Sequence, residues 1–345
     1  YIMLDDLKYL HLKDAQDAFG IAEKQWQQIA YDFPTVNNVD YSHIENIVFA
    51  GMGGSALGAL LSTTWPGYDH PFEICKNYKL PKYVGSKSLV ITSSYSGNTE
   101  ETVSALQDAD MRGASIAVLA GGGKLVELAK QKNLPLVVLP KASQPRYATL
   151  YGFKGLLSLL ADGGFIKKDV VQELSAQSDW LKGQLAQWRV DVPTKQNLAK
   201  QIALDVIGTS PVIYSSTEMF PAAYKWKISF NENAKNVAWC NMYPEFNHNE
   251  FLGWSSHPQE KPYSVIDLRS NLDIERVQQR FELSAKLISG KRPSPIVVNL
   301  QGDTVLQQLL YAVGLGDFAS LYTAMLNGLN PSPIDLIEKF KKQLA

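Results

Sequence analysis

Three hydroxyl side chains, Ser94, Ser96 and Thr99, lie close together in the stretch LVITSSYSGNTEETVS at residues 89–104. The stretch begins with strand-forming residues, breaks around Gly97 and continues with a helical pattern. The first backbone N–H groups of a helix have no partner within the helix, and they lie at the positive end of its dipole. Hydroxyl groups on a loop at this position are suited to binding an anion such as a phosphate.

A second turn of the same kind lies upstream, where IVFAGMGGSALGALL at residues 47–61 presents Ser55 behind three glycines. Either turn alone is better explained as an ordinary connection between a strand and a helix, because short motifs have many false positives. Two such turns in one pattern of alternating strands and helices predict a single phosphorylated ligand.

Residues 230–254, FNENAKNVAWCNMYPEFNHNEFLGW, form the densest polar stretch of the chain, and its charged groups stand among aromatic side chains. Burial among aromatic groups strengthens a carboxylate as a base, which suits proton abstraction next to a carbonyl. Glu232 is the first candidate for this base, although it could instead pair with Lys235 or cap a helix. A lone histidine is usually a structural residue, but His248 lies in a loop-like Asn-His-Asn context rather than on an apolar helix face, so a functional role stays open beside the structural one.

A metal site is the alternative for this stretch, since Glu245, His248 and Glu250 offer two carboxylates and an imidazole. The remaining histidines and the two cysteines, Cys75 and Cys240, supply no second ligand motif. We therefore predict no metal. Two isolated cysteines also fit a reducing compartment.

Three further cations could take part in chemistry. Arg146 follows a strand pattern, and its planar guanidinium could hold a phosphate or a developing enolate, or could serve as a surface salt-bridge partner. Lys339 and Lys341 lie on a C-terminal helix pattern whose apolar face, which includes Ile337 and Phe340, is expected to be taken up by packing. Exposed lysines of such a helix are by default solvated.

The elements that must position these residues follow an α/β pattern. Apolar β-branched runs alternate with amphipathic segments in the first half, which predicts a parallel sheet covered by helices on both faces. A helical connector is expected from about residue 148 to 204, after which the strands return at PVIYSS, PYSVIDL and PIVVNL. We predict two domains, residues 1–160 with an N-terminal helical segment and residues 161–345 with the connector and a C-terminal helix.

The composition excludes several classes of protein. The chain has 345 residues, 45% of them apolar, so it can bury a large core. Lys and Arg number 33 against 34 acidic residues, so no global basic field would hold nucleic acid or an anionic membrane surface. No apolar run reaches about 18 to 20 residues and no signal peptide is evident, so we expect a cytoplasmic protein.

The motifs together resemble those of the bifunctional phosphoglucose/phosphomannose isomerases, a branch of the phosphoglucose isomerase superfamily built from two sugar isomerase (SIS) domains. The resemblance spans nearly the whole chain. It is carried by GMGGS at 51–55, SYSGNTEET at 94–102, PRYA at 145–148, NENAK at 231–235, EFNHNE at 245–250 and NPSPIDLIEK at 330–339.

The resemblance implies two SIS-type αβα three-layer sandwich domains with parallel sheets. It also implies reversible isomerisation of glucose 6-phosphate and mannose 6-phosphate with fructose 6-phosphate, without metal or cofactor. The substrate phosphate would be bound by Gly54, Ser55, Ser94, Ser96 and Thr99.

The remaining roles also come from the resemblance. Glu232 would move the proton between C1 and C2, and Arg146 would stabilise the cis-enediolate. His248 would assist ring opening from the other subunit, which implies a homodimer. Lys339 resembles the lysine that contacts the ring-oxygen side, with Lys341 as the alternative.

One position departs from the family pattern. The family commonly has Thr between the two prolines of its tail motif, where this chain has Ser332. That hydroxyl resembles the group that lets the family accept the C2 epimer, and Ser lacks the methyl that fixes the rotamer of Thr. Ser332 keeps the hydroxyl, so the resemblance implies activity on mannose 6-phosphate as well as on glucose 6-phosphate.

Three other functions remain open. A non-catalytic SIS regulator would keep the phosphate-binding turns and lack the base. A dinucleotide-dependent oxidoreductase would use Gly51-x-Gly53-x-x-Ala56 with Glu73 about 20 residues on, although it would not need a second hydroxyl loop. A metal-dependent mannose phosphate isomerase would need a metal for activity.

Overall fold

The computed structural model describes residues 3–255 and 262–344. Helices and strands alternate along most of the chain, with 3₁₀ turns at Met3–Asp5, Gly53–Ala56, Pro145–Ala148, Thr194–Gln196 and Glu245–His248. In chain order the elements are α1 (Leu7–Lys13), α2 (Ala18–Glu23), α3 (Trp26–Ala30), β1 (Asn46–Ala50), α4 (Leu57–Thr64), β2 (Phe72–Cys75), β3 (Ser88–Ser94), α5 (Glu100–Met111), β4 (Ser115–Ala120), α6 (Gly123–Gln131), β5 (Leu136–Val138), α7 (Thr149–Asp162), α8 (Lys168–Ala176), α9 (Ser178–Ala186), α10 (Leu198–Val206), β6 (Ser210–Ser216), α11 (Phe220–Asn233), β7 (Trp239–Tyr243), α12 (Glu250–Gly253), β8 (Tyr263–Arg269), α13 (Glu275–Leu287), β9 (Ile296–Asn299), α14 (Val305–Leu326) and α15 (Asp335–Leu344).

The chain divides into two units that differ from the domains predicted from the sequence. The first unit is Gln25–Trp180, and the second combines Tyr1–Lys24 with Leu181–Ala345. The predicted boundary at residue 160 falls inside α7, and α8 packs against α7 within the first unit. The N-terminal segment belongs to the second unit because it packs on α14, where the ring of Phe19 contacts the ring of Tyr322.

The first unit is built on a parallel five-stranded sheet of order β2-β1-β3-β4-β5. Alternate residues of each strand enter different cores, because successive side chains of a strand point to opposite faces. Phe49 joins the core that contains α4 and α7, and Val48 joins the core that contains α5 and α6. The unit is therefore the three-layer αβα sandwich that the alternating sequence pattern predicts.

Strands β1 and β3 are neighbours in this sheet, and their connections leave in opposite directions. The chain passes from β1 to β2 on one side and from β3 to β4 on the other. Ligands of open α/β sheets bind at such a switch point, beside the carboxyl ends of the strands. Both hydroxyl turns follow these two strands, so the fold brings them to the same edge.

The second unit contains a parallel four-stranded sheet of order β7-β6-β8-β9. The three strands predicted from apolar runs are β6, β8 and β9, while β7 lies in the polar stretch and was not predicted. Helix α11 packs on β6, and α13 supplies Phe281 to the core on the other face. Mixed α/β architecture with parallel sheets is confirmed in both units.

Helix α14 is the core helix of the second unit. Among the described residues it is the one helix long and apolar enough to cross a bilayer, yet 94% of the apolar window is buried inside the structure. Its apolar run is interrupted by polar residues such as Asp317, which pairs with the buried Lys225 of α11. Length and hydropathy here reflect burial between helices.

Candidate active site

The three hydroxyls of the SYSGNTEET turn converge where β3 passes into α5. Ser94 Oγ lies 2.7 Å from Thr99 Oγ1 and 3.3 Å from Ser96 Oγ. The backbone N–H of Gly97 donates to Ser94 Oγ (3.1 Å). Thr99 is the N-cap residue of α5, so this group of hydroxyls stands at a helix N-terminus, as the sequence predicts.

Gly97 fits the turn only as glycine. Its φ is +72°, in the left-handed region, and a Cβ at this position would lie 1.7 Å from Gly122 O. The SYSGNTEET turn is thereby held against the glycine-rich turn that follows β4. The N–H of Leu125, at the start of α6, also donates to Gly97 O (3.0 Å). The shape of the anion site depends on this close approach.

We expect Gly97→Ala to lower the free energy of unfolding by about 1–3 kcal/mol through backbone strain and steric clash. Affinity for inorganic phosphate should fall as well, because the turn must move. Gly113→Ala is the matched control, since Gly113 has a φ of +67° and no atom within 4 Å of the added Cβ. Urea unfolding and phosphate titration of both variants would test this. If Gly97→Ala and Gly113→Ala lower the free energy of unfolding and the phosphate affinity equally, the close approach of Gly97 to Gly122 does not explain the effect.

The GMGGS turn lies beside the SYSGNTEET turn. The backbone N–H of Tyr95 donates to Ser55 Oγ (3.1 Å), so the two turns are joined directly. A Cβ on Gly54 would lie 2.8 Å from Arg146 N, which places this glycine against the 3₁₀ turn that carries Arg146. The structure therefore brings all the residues predicted to hold the phosphate, and Arg146, into one neighbourhood of the first unit.

Arg146 is buried, with 1% of its surface exposed. Its guanidinium carbon lies 4.6 Å from the centroid of the Tyr147 ring, and Nη2 donates to Tyr147 Oη (3.3 Å). This burial contradicts the alternative that Arg146 takes part in a surface salt bridge, because an arginine in such a bridge would be exposed to water. A buried arginine held against an aromatic ring is suited to binding an anionic group in a fixed orientation.

Glu232 is the penultimate residue of α11, a helix anchored along its length to α14. Asn233 Nδ2 donates to Ser320 Oγ (2.9 Å), and both residues are fully buried. One turn earlier, Ser229 Oγ donates to Asp317 Oδ1 (2.9 Å). The two anchors fix the rotation of the last turn of α11, and Glu232 itself is half-buried.

Lys235 joins the end of α11 to the NPSP tail. Its ammonium donates to the main-chain oxygens of Glu232 (2.9 Å) and Pro331 (2.9 Å), and it lies 3.3 Å from Asn330 O. The tail turn that contains the buried Ser332 therefore lies beside the turn that contains Glu232. These contacts of Lys235 are with carbonyl groups rather than with a carboxylate.

His248 ends the 3₁₀ turn Glu245–His248 and is exposed. The other polar residues of its motif have partners in the structure: Glu245 Oε1 accepts from Asn249 Nδ2 (2.6 Å), and Glu250 accepts from Asn241 Nδ2 (2.5 Å) and from the hydroxyl of Tyr214. Across residues 3–255 and 262–344, no three His, Cys, Asp or Glu side chains are grouped so as to hold a metal ion. The Glu245, His248 and Glu250 set is thus not assembled as a ligand set.

Helix α15 differs from its prediction. Its apolar face was expected to pack, but Phe340 is 64% exposed and Ile337 is 42% exposed in the single chain. Lys339 is exposed, and Lys341 lies 3.5 Å from Glu338 on the same helix. Neither lysine is brought to another predicted site residue by a described contact.

The dinucleotide alternative finds little support in the geometry of β2. Glu73 lies in the middle of that strand, opposite Val48, rather than at its carboxyl end. Its carboxylate accepts a hydrogen bond from Tyr83 Oη (2.7 Å). An acidic ribose ligand would have to stand at the strand end and offer its oxygens to the ligand.

Comparison with known proteins decides the family. A family model described as the bacterial phospho-glucose isomerase C-terminal SIS domain matches residues 195–344. A bifunctional phosphoglucose/phosphomannose isomerase from Caldicellulosiruptor bescii is 35% identical over 314 residues, which cover 89% of this chain and 92% of the relative. The chain belongs to this isomerase family. Another member, from Aquifex aeolicus, is 31% identical over 93% of this chain and 94% of its own length.

Solved structures agree on the fold. A glucose-6-phosphate isomerase like protein from Thermus thermophilus superposes with a TM-score of 0.61 at 17% identity, covering 97% of this chain and 99% of its own. The C-terminal domain of glucosamine-fructose-6-phosphate aminotransferase from Francisella tularensis reaches a TM-score of 0.68 at 13% identity, covering 96% of this chain and 99% of its own. The family and the fold together make this protein a sugar-phosphate isomerase.

Several residues that shape the site were not predicted from the sequence. Tyr147 stacks beside Arg146, and Ser320 anchors the helix of Glu232. Gly122 contacts the SYSGNTEET turn, and the run of three glycines at 121–123 was the available signal for it. No sequence signal pointed to Ser320, because its partner Asn233 lies 87 residues away in the chain.

Proposed function

We propose that this protein interconverts fructose 6-phosphate with glucose 6-phosphate, and with mannose 6-phosphate, through a cis-enediolate and without a metal or cofactor. The observation that carries the proposal is the convergence of Ser55, Ser94, Ser96 and Thr99 at the carboxyl edge of β1 and β3. Membership of the phosphoglucose/phosphomannose isomerase family supports the choice of sugars.

The phosphate would serve as the group by which the sugar is held. It is remote from C1 and C2, so its binding energy can fix the open chain in a reactive geometry. Hydrogen bonds from hydroxyl and backbone N–H groups to a charged phosphate contribute about 1.5–3 kcal/mol each. Gly54 lacks a side chain and would let the ligand approach the backbone closely.

Glu232 would act as the base that removes a proton from C1 or C2 and returns it to the other carbon. The electron pair of the broken C–H bond forms the double bond between C1 and C2, and the π pair of the carbonyl moves to its oxygen; the Arg146 guanidinium would stabilise the resulting enediolate. The buried setting of Arg146 supports this role, because a charge–charge interaction is stronger where water is excluded.

His248 would assist ring opening from the partner subunit of a homodimer, with Lys339 on the ring-oxygen side and Lys341 as the alternative. Exposure of His248 in the single chain supports a role outside its own subunit. The exposed apolar face of α15 supports self-association, because soluble monomers rarely leave contiguous apolar surface uncovered. The cytoplasmic location expected from the sequence stays a prediction.

Ser332 would decide whether the C2 epimer is accepted. Its burial and its place beside the Glu232 turn support a position near the reacting carbons.

A relative from Sulfolobus acidocaldarius is a D-glucosamine-6-phosphate 4-epimerase, 31% identical over 76% of this chain. Glucosamine 6-phosphate is therefore a necessary comparison substrate.

We expect turnover of fructose, glucose and mannose 6-phosphates to be unchanged by EDTA. Initial rates measured with and without the chelator would test this directly. Activity lost in EDTA and restored by a divalent metal would favour the metal-dependent mannose phosphate isomerases. Binding of fructose 6-phosphate without turnover would favour a non-catalytic SIS regulator.

A further inference from the structure

The segment EFNHNE, residues 245–250, rests on buried polar side chains of the second unit. Tyr214, in the interior strand β6, is fully buried, and its hydroxyl donates to Glu250 Oε1. Trp254 Nε1 donates to the same hydroxyl (3.1 Å). Burial, reinforced by the neighbouring Glu250 carboxylate, raises the pKa of Tyr214, so its hydroxyl keeps the proton that it donates.

Asn247, the residue before His248, is held by side chains of helix α13. Asn247 Nδ2 donates to Ser284 Oγ (2.8 Å), and Arg280 Nη1 donates to Asn247 Oδ1 (3.2 Å). Phe246 precedes Asn247 in the segment. Its ring is fully buried, and its centroid lies 4.7 Å from that of the Tyr214 ring. The segment is therefore attached to β6 on one side of His248 and to α13 on the other.

The segment has little structure of its own to fix the histidine. It consists of a 3₁₀ turn of four residues followed by Asn249, which caps the four-residue helix α12. Short 3₁₀ turns have poor hydrogen-bond geometry. The direction in which the exposed imidazole points must come from the flanking anchors.

We propose that Tyr214 and Ser284 are positioning residues that hold His248 for ring opening, an inference that rests on the proposed function. Opening the ring of fructose 6-phosphate breaks the bond between C2 and the ring oxygen. The anomeric hydroxyl gives up its proton, C2 becomes a carbonyl and the ring oxygen gains a proton. A histidine can mediate these transfers only within hydrogen-bond distance, so its position limits this step and no later one.

The test compares a cyclic substrate with an acyclic one. Fructose 6-phosphate must open before it reacts, whereas 5-deoxyfructose 6-phosphate lacks the hydroxyl that closes the ring and is always open. We expect Tyr214→Phe and Ser284→Ala to lower kcat on fructose 6-phosphate by about 10- to 100-fold, the scale of a misplacement by about 1 Å. Turnover of the acyclic ketose should change by less than about threefold. His248→Gln should show the same separation with a larger effect.

Tyr322→Phe is the matched control, because Tyr322 is also fully buried in the second unit and its hydroxyl donates to Trp188 O (2.6 Å). Its effect on the two substrates should be the same. If Tyr214→Phe and Ser284→Ala slow both substrates equally, or slow neither, the positioning role is overturned. If His248→Gln itself shows no separation, the ring-opening role of His248 fails first, and the positioning role fails with it. If wild-type protein turns over neither ketose, the proposed function fails.

Discussion

Replacing Glu232 with glutamine should lower kcat for the isomerisation of fructose 6-phosphate by about two to four orders of magnitude. Glutamine keeps the size and hydrogen-bonding shape of the side chain but cannot accept the proton, and general-base catalysis contributes on this scale. KM should change little, because the phosphate is held elsewhere. Steady-state kinetics in the direction of glucose 6-phosphate would measure both quantities.

The control for this variant is Glu282→Gln on α13, where the carboxylate is 70% exposed and lies 3.5 Å from Arg269. The same chemical change there should leave kcat unaltered. Near-normal turnover by Glu232→Gln would remove Glu232 from the mechanism. A loss confined to KM would instead place this residue among those that bind the ground state.

Arg146→Lys should lower kcat by about 10²–10³-fold, the loss seen when one preorganised donor to a developing oxyanion is removed. Lysine keeps the positive charge but lacks the planar fork, and it would not reproduce the contact with the Tyr147 ring. The effect should fall on kcat rather than on KM, since the negative charge on the substrate oxygen develops only during the reaction.

Arg112→Lys provides the comparison for the arginine variant. Arg112 is partly buried in the same unit and bonds to Asp108 and to the main-chain oxygen of Pro81, away from the hydroxyl turns. We expect a modest loss of stability and no loss of kcat from it. Equal losses of kcat in the two variants would mean that the Arg146 effect reflects folding rather than catalysis.

Most of the first unit could be predicted from the sequence, because local pattern and tertiary structure agree there. The run IVFA forms a strand buried on both faces, and the three hydroxyls after β3 meet at a helix N-terminus. The strand-to-helix turns are local, so residue spacing alone places Ser94 near Thr99. The joining of Ser55 to Tyr95 follows from the parallel pairing of β1 and β3.

The second unit was harder to predict, because its elements depend on partners distant in the chain. Strand β7 has the short sequence WCNMY inside a polar stretch, without the apolar run that predicts a strand, and it pairs with β6 at the sheet edge. Helix α14 is buried on all sides and its apolar residues are spread around the helix, so it has no amphipathic period to detect. In the first unit, the approach of Gly54 to the backbone of Arg146 likewise joins residues 92 positions apart, so residue spacing does not predict it.

The most direct test of the central claim is to follow fructose 6-phosphate with the wild-type protein in D₂O by NMR. We predict that glucose 6-phosphate and mannose 6-phosphate both form, with deuterium entering C2, because a proton held on a carboxylate between removal and return can exchange with solvent. Conversion in which neither product carries any deuterium would contradict a proton transfer through an enediolate. Absence of conversion would contradict the proposed function itself.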